Sequence, residues 1–435
     1  MQTVKLFKRT AALFAAIAVA AVSAAVAAFA DGAPLGSGTE ADPYIIRNGA
    51  ELVKIGGSED GVGYITLAND IDLSYYQGQT CIIKKLTGKL DGAGHKITGL
   101  KLTSATGSGW SLNKTGLIGE LSGNVENLTI SGADITIARF AEIGILAAYI
   151  PQNSTVNIKN CTVTGEISGT ASNSSGIGAF IGNAFGSIEK IATIGFDSCI
   201  SNVGITCASA DFVGGIIGKA TSFCDLTVAR SAVIGNITAA NPCGILGNFT
   251  MQANCIITIK DSYVGSALTG KNKCSIAYNS KGVPTTVNCS GFYYDTDYNK
   301  NLQPFYNKWG DEVAIPGASG VTTAEIMALA STLDGFEASD EFGGYPVPKQ
   351  QTAAAFSVTV DGSNVNITAA KAGSYSLVLA SYFGDALADV KIQTVTFAND
   401  GDGQTVSVPD GFTADGRTFR AMLWSGMCPL AKSNN

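Results

Sequence analysis

Charge is scarce in this chain. Only 14% of its 435 residues are charged, 28 basic against 35 acidic, for a formal net charge of −7. No basic run breaks that balance, which argues against a nucleic-acid partner and against anionic membrane surfaces. Histidine is nearly absent: His95 stands alone, with no cysteine or serine at a spacing that would make it a catalytic partner. None of the ten cysteines forms a C-x-x-C pair, so no metal site is expected from them. Leucine frameworks and Trp-Asp signatures are missing too, which excludes leucine-rich repeats and propeller blades.

Glycine, by contrast, is plentiful at 52 residues, and it recurs in a pattern. Gly116-Leu117-Ile118-Gly119 is followed by Gly144-Ile145-Leu146-Ala147, Ala179-Phe180-Ile181-Gly182, Gly215-Ile216-Ile217-Gly218, Gly244-Ile245-Leu246-Gly247 and Ser275-Ile276-Ala277-Tyr278. The interval is roughly thirty residues, the signature of a repeat architecture. After each tetrad come short stretches of alternating apolar and polar residues, rich in β-branched side chains and punctuated by Gly, Asn or Ser. That is the period of strands joined by turns. A unit of this size cannot bury its own apolar face, but stacked units at ~4.8 Å per coil can. The expected fold is all-β: a right-handed parallel β-helix, with Leu117, Ile145, Phe180, Ile216, Ile245 and Ile276 as one inward ladder.

Residues 1–30 read as a secretory signal. Lys5, Lys8 and Arg9 precede an alanine-rich apolar run, and Ala28-Phe29-Ala30 is a cleavage site. An uncleaved anchor is the alternative, since the run approaches the length of a membrane span. Beyond it no membrane contact is expected, and the mature protein belongs outside the cell or on its surface. From Gly36 to Tyr44, through Gly49–Ile55 and Tyr64–Leu73, to Gly88–Leu100 and the first tetrad, the chain resembles bacterial surface proteins carrying the GLUG motif. The resemblance covers residues 36–348 and implies a secreted β-helix with structural or adhesive duties and no catalytic residues in the motif. Ala50–Ile55 is expected to plug the first coil as a short helix, covering strand edges. Thr322–Ser331 is expected to form a second helix at the far end, opened by a Thr322/Glu325 capping box. Residues 349–355 read as a linker. From 356 to 435, evenly spaced strands predict a small β-sandwich. Its texture resembles the Ig/fibronectin-like module of clostridial surface proteins.

Several side chains have chemistry to offer, each with a plainer alternative. Asp70 and Asp72 share a strand face and could act as an acid–base pair or bind calcium, or simply belong to the structural repeat. Asp91 lies in a Gly-rich turn beside His95. Tyr293, Tyr294 and Tyr298, next to Asp295 and Asp297, could form a sugar-binding patch, or pack the last coil. Over the repeats, Glu120, Glu126, Arg139, Glu142, Glu166, Glu189, Asp197, Asp225, Arg230 and Asp261 fall in different slots rather than gathering as an active site would require. Cys161 and Cys199 share a repeat slot with Leu128, Ser231 and Ser262, which suggests a small inward position; Cys243 and Cys274 share another. Buried free thiols are expected there rather than a disulfide framework. The resulting expectation is a surface structural or adhesive protein without cofactor, touching surface glycans or proteins. The alternative is a polysaccharide lyase or glycoside hydrolase, because those enzymes use the same fold.

Overall fold

The computed structural model describes residues 34–432 apart from 105–113, 140, 172–174, 250–254, 280–284, 307–311, 350–355, 370–372, 385, 400, 414–415 and 426–427. The proposed signal sequence therefore lies outside the described residues, as does most of the proposed linker. Two compact units emerge, one spanning Arg47–Thr352, the other holding the C-terminal strands from Ala353 onward with the residues up to Ile46.

The larger unit is a parallel β-solenoid of about six turns. The central coils contribute four short strands apiece, and each strand pairs in parallel with its counterparts above and below. In the third and fourth coils these are Glu142–Gly144 with Gly176–Gly178, Ala147–Ile150 with Ile181–Phe185, Thr155–Lys159 with Ala192–Asp197, and Thr162–Gly169 with Ile200–Cys207. The alternating apolar residues point inward, so Val156, Ile158, Val163 and Ile167 are buried with their equivalents in neighbouring coils.

The repeated tetrads occupy the corner between the first and second strands. In the four coils beginning at Glu142, Gly176, Phe212 and Pro242 two residues make the bend, while Lys114–Leu121 and Cys274–Tyr278 pass it in continuous strand. Ile118 pairs with Ala147, and Ala147 with Ile181; Ile181 pairs with Ile217, and Ile217 with Leu246. The Ile118 amide donates to the Leu146 carbonyl at 2.9 Å. Leu146, not Ile145, therefore continues the ladder of Leu117, Phe180, Ile216, Ile245 and Ile276. The expected alignment slips by one residue there because the earlier coil turns this corner with one residue fewer. All of these side chains, Ile145 included, are buried.

The glycines around the corner have a steric purpose. A Cβ at Gly218 would lie 2.1 Å from the Ile177 nitrogen and 2.6 Å from the Gly176 carbonyl carbon. One at Gly178 would lie 2.6 Å from the Gly218 nitrogen. The same relation joins Gly144 to Gly182 and Gly214 to Gly247. The first and second walls thus meet backbone to backbone, through a zipper of glycines running up the stack.

The next turn, between the third and fourth strands, uses left-handed backbone once per coil. Asn127, Asn160, Ser198, Arg230, Asp261 and Gly291 have φ of 53°, 52°, 56°, 45°, 44° and 68°, and the flanking registers place them in one column. Asparagine tolerates this conformation and glycine accepts it freely. Asn160 Nδ2 donates to Asn127 Oδ1 at 2.9 Å, and Arg230 forms an ion pair with Asp197. The slot that follows is Leu128, Cys161, Cys199, Ser231 and Ser262, all buried as expected. Serine fits because its hydroxyl serves the corner: Ser231 Oγ accepts from the Cys199 amide at 3.1 Å, and Ser262 Oγ from the Ser231 amide at 3.0 Å.

Both helices form. Gly49–Gly56 is N-capped by Asn48, and Gly56 sits so close to the Ile82 carbonyl that a Cβ would be 2.3 Å away. Thr323–Thr332 opens with the Thr322/Glu325 capping box and buries Ile326 and Leu329 with Tyr263 and Phe336. In the smaller unit a three-stranded antiparallel sheet (Ser357–Asp361, Asn364–Thr368, Gly403–Ser407) and a four-stranded one (Gly373–Phe383, Ala386–Phe397, Arg417–Ser425, Cys428–Lys432) share one core. Val365, Ile367, Leu377, Leu379 and Leu423 form its centre.

Candidate functional site

The acidic residues singled out in the sequence are occupied by structural work. Asp72 holds its own turn, accepting from the Ser74 amide at 2.8 Å and the Ser74 hydroxyl at 3.0 Å. Asp70 Oδ1 lies 3.3 Å from His95 Nδ1 and 3.1 Å from the Lys96 amide. Asp91 accepts from the Ala93 amide and from Asn127 Nδ2, tying the Gly-rich turn to the next coil. Asp295 is fully buried: its Oδ1 accepts from the Asp297 and Tyr298 amides, and its Oδ2 from the Thr323 hydroxyl at 2.7 Å. Asp297 accepts from the Thr323 amide. These two carboxylates hold the start of the second helix. Of the three tyrosines, Tyr293 packs against the apolar cluster under that helix, Tyr294 lies tilted against Phe292, and Tyr298 is exposed.

Charges that looked scattered along the sequence do come together elsewhere. Glu142 begins the first strand of its coil and is fully buried; Lys219, two coils on, reaches it with Nζ 2.6 Å from Oε1. Asn183 Nδ2 approaches the same oxygen at 3.5 Å, and Thr221 donates to Asn183 Oδ1 at 3.0 Å. The lysine passes over Gly176, where a Cβ would lie 2.6 Å from Glu142 Oε2 and 2.9 Å from Lys219 Cγ. Oε2 itself is buried without a hydrogen-bond partner. Burial pushes the Glu142 carboxyl above its ordinary range, while Lys219 pulls it back down. At the seam's more exposed end, Lys114 Nζ sits 2.7 Å from Glu120 and 4.7 Å from the centroid of the Tyr149 ring. Burial, helped by Glu120 and Glu142, pushes the Tyr149 phenol up to about 12. Sequence reasoning passed over this group because its members come from four coils. A signal existed: Lys219 and Glu142 each interrupt an otherwise apolar run beside a tetrad.

A second arrangement lies on the fourth wall. Thr103, Thr136, Ser168, Thr206, Thr238 and Thr269 are register partners from coil to coil, half-buried or exposed. Beside them runs the row Lys101, Asp134, Glu166 and Gly204, with Lys101 Nζ 3.7 Å from Asp134. The two rows begin in a shallow cleft of about 380 Å³ lined by Gln77, Gly78, Lys101, Leu102, Thr103, Asp134 and Thr136. Hydroxyls donate and accept at once, so such a row can match a ligand bearing hydroxyls at the coil spacing, ~4.8 Å.

The cysteines stack in register. Cys243 pairs with Cys274, and the flanking registers set Cys161 beside Cys199 and Cys224 beside Cys255. All six are buried free thiols. Burial pushes Cys199 up to about 12, so it stays neutral. Among the described residues no group of His, Cys, Asp or Glu is placed to hold a metal ion.

No protein-family model matches the chain, and no curated protein matches it. Among solved structures it is similar to a crystal structure from Bacteroides ovatus provisionally named an immunoglobulin A1 protease. The two share 19% identity with a TM-score of 0.51, over 73% of this chain and 95% of that one. That likeness is one of fold.

Proposed function

We propose that this protein is a surface or secreted solenoid that holds an extended glycan against its side. The observation that carries the reading is the hydroxyl row Thr103–Thr136–Ser168–Thr206–Thr238–Thr269, opening from the polar cleft at Gln77 and Lys101. A stacked coil converts one polar position into a row with a fixed repeat, and an extended polysaccharide is the ligand whose own repeat such a row can follow. Export after Ala30 supplies the location. The GLUG-like tetrads and an Ig/fibronectin-like C-terminal module complete the kinship with bacterial surface proteins. A glycan array probed with the exported chain tests it. Thr136→Val with Thr206→Val should abolish retention while the melting temperature stays put. Unchanged retention in that variant would remove the row from the binding face.

A second reading, a polysaccharide lyase or hydrolase, draws on the Glu142 carboxyl. It is a buried acid, and burial raises a carboxyl toward general-acid use, although the Lys219 ammonium beside it opposes that shift. Its full burial favours a structural ion pair instead. Depolymerisation of an acidic polysaccharide by the parent and not by Glu142→Gln would reverse the ranking; proteolysis by the parent would do the same in favour of the neighbour's name.

A further inference from the structure

The four-stranded sheet of the smaller unit ends in Ala386–Phe397, which bonds to Gly373–Phe383 and to no other strand among the described residues. The first half of this edge strand projects past the core. Leu387, Val390 and Ile392 are exposed at 56%, 47% and 58%. A long edge with free amides and carbonyls and apolar side chains is a template for another strand. Edges of this kind are usually guarded by charge, and here Asp389 and Lys391 flank Val390.

Their placement selects the occupant. When two copies of this strand run antiparallel with Val390 opposite Val390, Asp389 of each copy faces Lys391 of the other, twice over. Centred one residue either way, the strand sets Asp389 against Asp389 or Lys391 against Lys391. Opposite charges directly across a pair are favourable and like charges are not. The charges that would repel a misregistered strand therefore admit one register, and that register is the twofold one. Asp389 is already fixed by its ion pair with Arg417 in the same chain. We propose that two copies of this chain pair through the edge Ala386–Phe397, centred on Val390. The contact is isologous and closes at two, joining two four-stranded sheets into one. It stands independently of the glycan reading.

Sedimentation of the full exported chain over rising concentration should show a monomer–dimer equilibrium. Lys391→Glu alone and Asp389→Lys alone should each weaken the dimer by at least about tenfold, since each turns both cross-strand pairs repulsive. Mixed in equal amounts, those two variants should form a heterodimer, because the carboxylate introduced in one copy then faces the ammonium introduced in the other. Val390→Cys should give a covalent dimer under mild copper-catalysed air oxidation where the parent does not. Melting curves confirm that every variant is folded. A chain that stays monomeric at the highest concentration overturns the proposal. So does a Lys391→Glu variant that dimerises like the parent, or a mixture of folded variants that stays monomeric.

Discussion

Replacing Gly218 by alanine should damage this solenoid more than any surface change. Gly218 has no positive φ, so backbone conformation does not forbid the substitution; space does. The new methyl would lie 2.1 Å from the Ile177 nitrogen and 2.6 Å from the carbonyl carbons of Gly176 and Ile177. All three atoms belong to backbone that is held in parallel pairing with the coils above and below, so no side chain can rotate away. The walls must part by about an ångström, which puts the cost at the upper end of overpacking, ~3 kcal/mol. Restricting the unfolded chain returns ~0.4–1 kcal/mol. A net loss of about 2 kcal/mol lowers the melting temperature of a unit of this length by roughly 3 °C. Gly204→Ala is the control, because there the nearest atoms, Glu166 Cγ and the Gly165 oxygen, are 3.7 and 3.9 Å away. It should match the parent or gain up to ~1 kcal/mol. Paired calorimetric scans decide the matter. If Gly218→Ala melts with the parent, the two walls are not in backbone contact and the glycine zipper is wrong.

Three further outcomes can be measured. Glu142 has a raised folded-state pKa, so its contribution to stability is complete below the ordinary carboxyl value of 4.5 and is lost as pH rises through the folded value. Urea midpoints from acid to neutral pH should show that slope in the parent and not in Glu142→Gln, whose neutral amide keeps the shape of the protonated acid and does not titrate. Asn160→Ala should cost ~1–2 kcal/mol in chemical denaturation, from left-handed backbone and the lost bond to Asn127, while Asn160→Gly should recover most of the conformational part. Asp295→Ala strips the acceptor from the Asp297 and Tyr298 amides and the Thr323 hydroxyl, so hydrogen exchange in Thr323–Thr332 should quicken, with a loss of ~1–3 kcal/mol.

The sequence by itself determined the solenoid. Alternation of apolar and polar residues, repeated at a near-constant interval, leaves stacking as the only way to bury the apolar side, and each of those signals is local. Thr322 with Glu325 announced its helix for the same reason, since a capping box is complete within one turn. The Leu–Cys–Ser slot was legible as a small inward position because the same place was sampled several times along the chain. Tertiary structure alone decided which side chains meet across coils. Loop lengths between strands vary, so register is settled by pairing: a single missing residue at one corner moved Leu146 into the ladder in place of Ile145. The tetrad glycines were visible, but that Gly218 faces the backbone of Ile177 depends on two walls closing on each other. Glu142 and Lys219 became partners only because the stack sets their coils two steps apart and Gly176, between them, has no side chain to block the lysine.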